Sequence, residues 1–140
     1  MRKTFLRLGS LFAMTAVILG AFGAHALKDA IAPEQLDTFE TGVRYQFYHA
    51  LALLSVGLLL YWRKTNLLPW AGWLFVAGIL LFSGSIYLLA LRDLLQMNVN
   101  WAGPITPIGG TLFILGWILL LVSTYQENQR SYRQQSKEST

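Results

Sequence analysis

The sequence predicts an all-α membrane protein: an antiparallel four-transmembrane-helix bundle with a short outer amphipathic helix before span two. Hydrophobic residues make up 54% of the 140 residues and charged residues only 13%, about half the charged share of a typical soluble domain. The hydrophobic residues form four runs, each as long as the roughly 20 residues that a transmembrane helix needs. Basic residues flank these runs, as they do in membrane proteins of defined orientation.

The four spans are predicted at about residues 6–27, 42–62, 68–91 and 104–125. They form one membrane domain, residues 1–126, followed by a polar cytoplasmic tail, residues 127–140. Eight lysines and arginines lie at the N-terminus, in the second loop and in the tail, against three on the other side. The positive-inside rule therefore places both termini in the cytoplasm of a multi-pass protein of the plasma (inner) membrane.

Span one has two possible interpretations. Its basic start, its apolar middle and the Ala-His-Ala at residues 24–26 resemble a signal peptide with its cleavage site. Small residues also recur at helix-packing intervals through Gly9, Ala13, Ala16, Gly20 and Ala24. Such a strip allows close approach of a second helix in lipid, so a retained first helix is favoured.

Residues 37–54 predict one helix that begins polar and ends apolar, with the amphipathic piece after Pro33 running or bending into span two at Gly42. Polar groups share one face of this helix at helical spacing. The members of this face are Asp37, Glu40, Thr41, Arg44, Tyr45, Tyr48, His49, Ala52 and Ser55. Charge that faces hydrocarbon is costly, so the stripe is expected to turn inward to other helices.

Spans three and four carry small residues every seven positions, which favours near-antiparallel packing of neighbouring helices. The two series are Ala71, Gly78 and Ser85, and Gly109, Gly116 and Ser123. Residues 103–110 contain two prolines and three glycines. This composition predicts irregular backbone that enters the outer leaflet, where it must be covered by protein or face water.

Four stretches resemble the family of small membrane proteins known as domain of unknown function 423. They are Gly-Ala-Phe-Gly-Ala-His at 20–25, Tyr-Gln-Phe-Tyr-His-Ala-Leu-Ala-Leu at 45–53, Phe-Ser-Gly-Ser-Ile-Tyr at 82–87, and Thr-Pro-Ile-Gly-Gly at 106–110 with Gly116 and Trp117. The resemblance implies a four-span inner-membrane protein without an established biochemical activity. The matching positions are Gly23, His25, Tyr45, His49, Ser83, Gly84, Ser85, Tyr87, Pro107 and Gly109. Arg44 and the charged stretch after span three depart from the family pattern.

One candidate site follows from the spans: a polar pocket in the outer leaflet. His25 ends span one and His49 begins span two, so antiparallel neighbours are expected to bring them together with other polar groups. The candidate ligand-binding residues are His25, Arg44, Tyr45, Tyr48, His49, Ser83, Ser85, Tyr87 and Thr106. A second interpretation is that these side chains only satisfy one another and the broken backbone at Pro104 and Pro107.

The favoured function is a non-enzymatic membrane protein whose outer pocket binds a lipid or a larger membrane complex. The alternatives are a redox accessory, with haem or quinone at His25 and His49, and an oligomeric solute or proton pathway. The chain has no cysteine, and neither a hydrolase nor a phosphate-loop motif is found, so no catalytic residue, metal or cofactor is predicted. The expected partners are the lipid bilayer and a membrane protein or a second copy. Nucleic acid is not expected, because the basic residues that give the net charge of +4 flank the spans.

Overall fold

The first span is a helix whose last turn is wider than an α-helix. In the computed structural model α1 spans Arg2–Phe22 and continues as a π-helical turn, Gly23–Leu27. The structure describes the backbone of residues 1–138 and the side chains of residues 1–125. The predicted polar tail, residues 127–140, therefore lies outside the residues whose side chains are described.

Span two is the 30-residue helix α2, Pro33–Trp62. Proline is tolerated at the first position, because the backbone N–H that it lacks would have no acceptor within the helix. The Gln35 side chain accepts a hydrogen bond from the Ala32 N–H at 3.2 Å, which closes the first turn. The predicted outer amphipathic helix forms the beginning of α2 and runs into the span without a break.

Span three contains a second π-helical turn between two α-helical pieces. These are α3, Leu67–Gly78, the π-helical turn Ile79–Ser83, and α4, Gly84–Ala90. The short helix α5, Arg92–Leu95, and a 3₁₀ turn at Asn100–Ala102 connect α4 to α6, Ile105–Glu138. In the described part of the chain four helical segments are long and apolar enough to cross a membrane.

The prediction of irregular backbone at residues 103–110 is wrong for most of that stretch. Only Gly103 and Pro104 form a turn, and α6 is regular from Ile105. Pro107 is the third residue of α6, where its missing N–H deprives the helix of no hydrogen bond. The composition indicated a helix start rather than a helix break.

The helices are antiparallel, with α2 and α3–α4 at the centre, α1 packed on α2 and α6 packed on α3. A Cβ atom at Gly9 would lie 2.8 Å from Leu54, and one at Gly78 would lie 2.5 Å from Phe113. The small residues thus lie at the contacts as predicted, although Ala24 is exposed. The largest core cluster lies towards the end that carries the N-terminus, around Phe5, Leu53, Val56, Leu68 and Phe75.

Candidate functional site

A hydrogen-bonded network centred on Gln46 connects three helices in the interior. Gln46 is 5% exposed. Its amide N–H groups donate to Phe12 O at 3.0 Å and to Thr15 Oγ1 at 2.8 Å on α1. Its carbonyl oxygen accepts the Tyr87 hydroxyl of α4 at 2.8 Å. Every polar group of this buried amide thus has a partner, which is what a polar side chain needs in an apolar interior.

His49 lies one turn further along α2 and is 5% exposed. Its Nδ1 lies 2.7 Å from Tyr45 O, and the Trp117 indole N–H donates to its Nε2 at 3.2 Å. A carbonyl can only accept and an indole N–H can only donate, so these partners fix a neutral imidazole with its proton on Nδ1. Phe113 stacks on the ring with centroids 3.4 Å apart. His49 is therefore fully engaged inside an aromatic environment.

Two serines of span three have different environments. Ser85 donates to Phe82 O at 2.9 Å and shares a hydrogen bond of 2.7 Å with Thr106, which fastens α4 to the start of α6. Ser83 is completely buried at the end of the π-helical turn, and among the described residues its hydroxyl has no hydrogen-bond partner. π-Helical turns are frequent at functional sites, and this turn ends in a buried hydroxyl to which the described structure gives no partner.

The two histidines lie at different depths of the bundle. Gly23, two residues before His25, packs against Phe39. Gly23 thus lies at the depth of Phe39, and His25 lies beyond it, further from His49. Since an α-helix rises about 1.5 Å per residue, the depths of the two histidines differ by at least about 15 Å. His25 is exposed and bonds only to Ala21 O, at 2.9 Å. The structure therefore does not bring His25 and His49 into one pocket.

The other candidate residues fall into separate groups. Tyr87 belongs to the Gln46 network, and Ser85 and Thr106 bond each other. Tyr45 is 41% exposed, although its ring contacts Phe82 at 4.7 Å between centroids. Gln46 and Trp117 were not among the predicted site residues. An isolated amide in an apolar span was the signal available for Gln46, whereas nothing in the sequence marked Trp117 as a partner of His49.

Part of the predicted polar stripe faces away from the bundle. Tyr48 is 57% exposed. Arg44 is exposed and donates to Thr41 Oγ1 at 3.1 Å, and Ser55 is exposed and donates to Leu51 O at 3.0 Å. We call this surface the open face of α2; it consists of Thr41, Arg44, Tyr48, Leu51, Ser55, Leu58 and Trp62, all exposed except the half-buried Thr41.

A polar cavity of about 500 Å³ lies at the end of the bundle opposite the N-terminus. Asp29, Gln35, Asp93 and Gln96 contribute to its lining. The Gln35 amide donates to Asp93 Oδ2, and Arg92 Nε lies 3.6 Å from Asp93 Oδ1. None of the nine predicted site residues lines this outer cavity. The lining of this outer cavity thus comes from the connection between α1 and α2, the first turn of α2, and α5 with the residue that follows it.

The comparisons with known proteins assign the chain to a family. The family model described as "Protein of unknown function (DUF423)" matches residues 19–110. The chain belongs to this family. It is 48% identical over 124 residues to a UPF0382 membrane protein of Staphylococcus aureus, which covers 89% of this chain and 97% of the relative.

Two further relatives have similar coverage. A UPF0382 membrane protein of Staphylococcus epidermidis is 48% identical over 122 residues, with 87% of this chain and 95% of the relative covered. One of Staphylococcus saprophyticus is 44% identical over 124 residues, with 89% and 98% covered. No solved structure matches the chain. The resemblance noted from the sequence is thus confirmed: this is a membrane protein of an uncharacterised family.

Proposed function

We propose that this protein is a non-enzymatic membrane protein that binds a transmembrane helix of a partner polypeptide along the open face of α2. The observation that carries the proposal is the outward placement of Arg44, Tyr48 and Ser55 on a helix long and apolar enough to span a membrane. Polar and charged side chains in such segments are costly towards lipid and usually face other helices or water. A helix from another polypeptide would shelter them.

The exposed faces of the outer helices have a different composition. On α1 the exposed residues include Leu11, Met14, Val17 and Ile18, and on α6 they include Ile114, Ile118 and Leu121. These side chains suit contact with acyl chains. α1 also exposes Arg7 and Ser10 near its N-terminus, and α6 exposes Thr111 and Thr124 near the two ends of its apolar part. On the open face of α2 the polar side chains recur along the helix at positions 44, 48 and 55, which supports protein as its occupant rather than lipid.

Apart from the Ser83 hydroxyl, the interior polar groups described above already have hydrogen-bond partners, which supports a binding role rather than a catalytic one. A general base needs a free lone pair directed at the group that it deprotonates. Both nitrogens of His49 are engaged by Tyr45 and Trp117, and the polar groups of Gln46 are engaged by α1 and α4. This arrangement stabilises the bundle and leaves the outer surfaces for recognition.

The redox and transport alternatives receive less support. A haem held by His25 and His49 would need both imidazoles on opposite sides of one iron, but the two residues lie at different depths and Nε2 of His49 accepts from Trp117. A pathway through the bundle has little room between α3–α4 and α6, since a Cβ at Gly109 would come 2.4 Å from Phe82 N. No specific contact favours either function.

Site-specific photo-crosslinking in intact cell membranes tests the proposed function. Benzoylphenylalanine replaces Leu51 on the open face or Leu11 on α1 as the matched control. Leu51 is 45% exposed and Leu11 is 47% exposed. Both lie at the same depth, because Gly9 contacts Ala50 and Leu54. We expect adducts to polypeptide from position 51 but not from position 11; lipid adducts alone from both positions would refute the proposal.

A second candidate function, binding of a lipid whose headgroup carries an ammonium group, is favoured by the outer cavity. Asp29 and Asp93 place two carboxylates in it, and a primary ammonium group is the complementary ligand. Native mass spectrometry from vesicles that contain phosphatidylethanolamine tests this function. Asp29→Asn should lose the retained lipid and the exposed control Glu34→Gln should keep it; equal retention by the two variants would exclude the cavity as the binding site.

The location proposed for the protein is the inner membrane, with both termini in the cytoplasm. Eight lysines and arginines near the termini and in the second loop, against three on the other side, support this orientation. The outer cavity and Arg44 then lie towards the outer surface.

A further inference from the structure

We propose that the occupant of the open face of α2 is the same face of a second copy of this chain. The two copies form a parallel dimer whose two-fold axis is normal to the membrane. This inference rests on the proposed function and specifies its partner. Four observations carry it. They are the spacing of the residues along the open face, the length of that face, the match of each residue with its own copy across the two-fold axis, and the charges at the outer end of α2.

The residues of the open face alternate at intervals of three and four along α2, from Thr41 to Trp62. This is the seven-residue repeat of a left-handed helix pair, in which alternate contact positions insert between residues of the facing helix. The opposite side of α2 carries the buried Phe39, Gln46 and Leu53, also seven residues apart. One side of α2 thus serves the chain's own core, and the other has the geometry of a helix–helix contact.

The length of the open face matches a membrane. From Thr41 to Trp62 the helix rises about 31 Å at about 1.5 Å per residue, close to the roughly 30 Å thickness of the hydrocarbon core. A partner helix that crosses the membrane can therefore contact the face over its whole length. A peripheral protein or a short surface helix would cover only one end.

Two-fold symmetry about the membrane normal matches each layer of the face with itself. Both copies insert with the same orientation, so an isologous contact places α2 parallel to α2. Tyr48 and Ser55 then meet hydroxyl groups at their own depth, while Leu51 and Leu58 meet leucines. Hydroxyl groups across such an interface contribute modest interhelical hydrogen bonds.

The charges at the outer end of α2 are complementary between copies. Asp37, Glu40 and Arg44 are all exposed, and among the described side chains Arg44 bonds Thr41 rather than either acid. In a parallel pair, positions 37, 40 and 44 surround the contact at Thr41. Arg44 is itself a contact position, so the two guanidinium groups meet at one depth, and Asp37 and Glu40 of both copies place four carboxylates within two turns of these two cations. Lipid offers no such paired arrangement.

Disulfide formation tests the second copy directly, because the chain has no native cysteine. Single cysteines at Leu51, Ser55 and Leu58 are oxidised with copper phenanthroline in the membrane, with Leu11→Cys and Leu53→Cys as controls. Leu11 is the lipid-facing match for Leu51, and Leu53 faces the core. We expect disulfide-linked dimers from positions 51, 55 and 58 only. Equal dimer yields at the control positions would overturn the inference.

The photo-crosslinking at position 51 separates failure of this inference from failure of the proposed function. An adduct to a different polypeptide, with no disulfide dimer, would overturn the second copy as partner and leave helix binding standing. Lipid adducts alone would overturn both.

A charge exchange provides the second test. Arg44→Glu should raise the dissociation constant of the dimer about tenfold, which corresponds to about 1.4 kcal/mol. Restoring an opposite charge with Glu40→Arg in the same chain should recover dimerisation. The folding of each variant is checked by circular dichroism, and unchanged dimerisation of folded Arg44→Glu would contradict the pairing.

Discussion

At the residue scale, the polar groups of α2 divide into an inward set and an outward set. Gln46 and His49 turn inward, while Arg44, Tyr48 and Ser55 stay outside. The sequence predicted the stripe, but it could not predict the division. Residues 45, 48 and 49 lie side by side on the helix, and only the position of Trp117 and Phe113 on α6 decides which of them is covered.

Gln46 was not predicted as a site residue, because of its position on the helix. It lies on the side of α2 opposite the stripe, so the periodicity that drew attention to Tyr45 and His49 excluded it. Its partners Thr15 and Tyr87 belong to other helices. A single polar residue in an apolar run indicates an interior hydrogen bond, but the run itself does not name the partner.

The Gln46 network makes a prediction about stability. Tyr87→Phe removes the hydroxyl that Gln46 accepts, whereas Tyr48→Phe removes the same group from an exposed position. Tyr87→Phe should lower the free energy of unfolding by about 1 kcal/mol, because a buried carbonyl oxygen loses its donor. Tyr48→Phe should change it by less than about 0.5 kcal/mol.

Unfolding by sodium dodecyl sulfate in micelles that keep the protein monomeric measures both changes. Equal effects of the two variants would show that the Tyr87 hydroxyl does not stabilise the bundle.

At the element scale, the seven-residue spacing of small residues correctly predicted how spans three and four pack. Gly78 contacts Phe113, Gly116 contacts Phe75, and Gly109 contacts the backbone of Phe82. The prediction failed where proline was counted without regard to its position in the helix. Pro107 lies in the first turn of α6, where proline is tolerated. The two π-helical turns carry no proline, and no spacing in the sequence indicated them.

Two adjacent glycines of α6 provide a matched test of this packing. A Cβ at Gly109 would lie 2.4 Å from Phe82 N, whereas one at Gly110 would lie 3.6 Å from the Phe82 ring, an ordinary contact. Gly109→Ala should lower the free energy of unfolding by about 1–3 kcal/mol, as overpacking does. Gly110→Ala should raise it by up to about 1 kcal/mol, since alanine favours the helix.

The same unfolding measurement compares these two glycine variants. If Gly109→Ala were as stable as Gly110→Ala, α6 would not approach Phe82 as closely as described.

At the scale of the whole molecule, hydrophobicity and basic residues predicted the number of spans and the all-α fold. What covers the exposed face of each outer helix was not predictable in the same way, because hydrophobicity does not distinguish a face that contacts lipid from one that contacts another helix. Under the proposal made above, lipid covers the faces of α1 and α6, and another polypeptide covers the open face of α2. None of the residues predicted for the outer pocket lines the outer cavity; that they bind a ligand stays a prediction.

The orientation is tested by labelling single cysteines with a membrane-impermeant maleimide. Asn98→Cys lies in the loop after α5, and Asn66→Cys lies between α2 and α3. In intact cells only position 98 should react, because the proposed orientation has the loop with Asn66 in the cytoplasm. Reaction at position 66 before permeabilisation would reverse the proposed orientation.

The central claim is that another polypeptide covers the open face of α2 in the membrane. A nitroxide spin label is attached to Leu51→Cys or to Leu11→Cys, and the protein is kept in polymer-bounded discs cut from the cell membrane. The accessibility of the label to oxygen then measures this cover most directly. The two leucines are 45% and 47% exposed in the single chain, and they lie at the same depth. We predict a clearly lower oxygen collision rate at position 51 than at position 11. Equal rates would show that the open face meets lipid and would contradict the account.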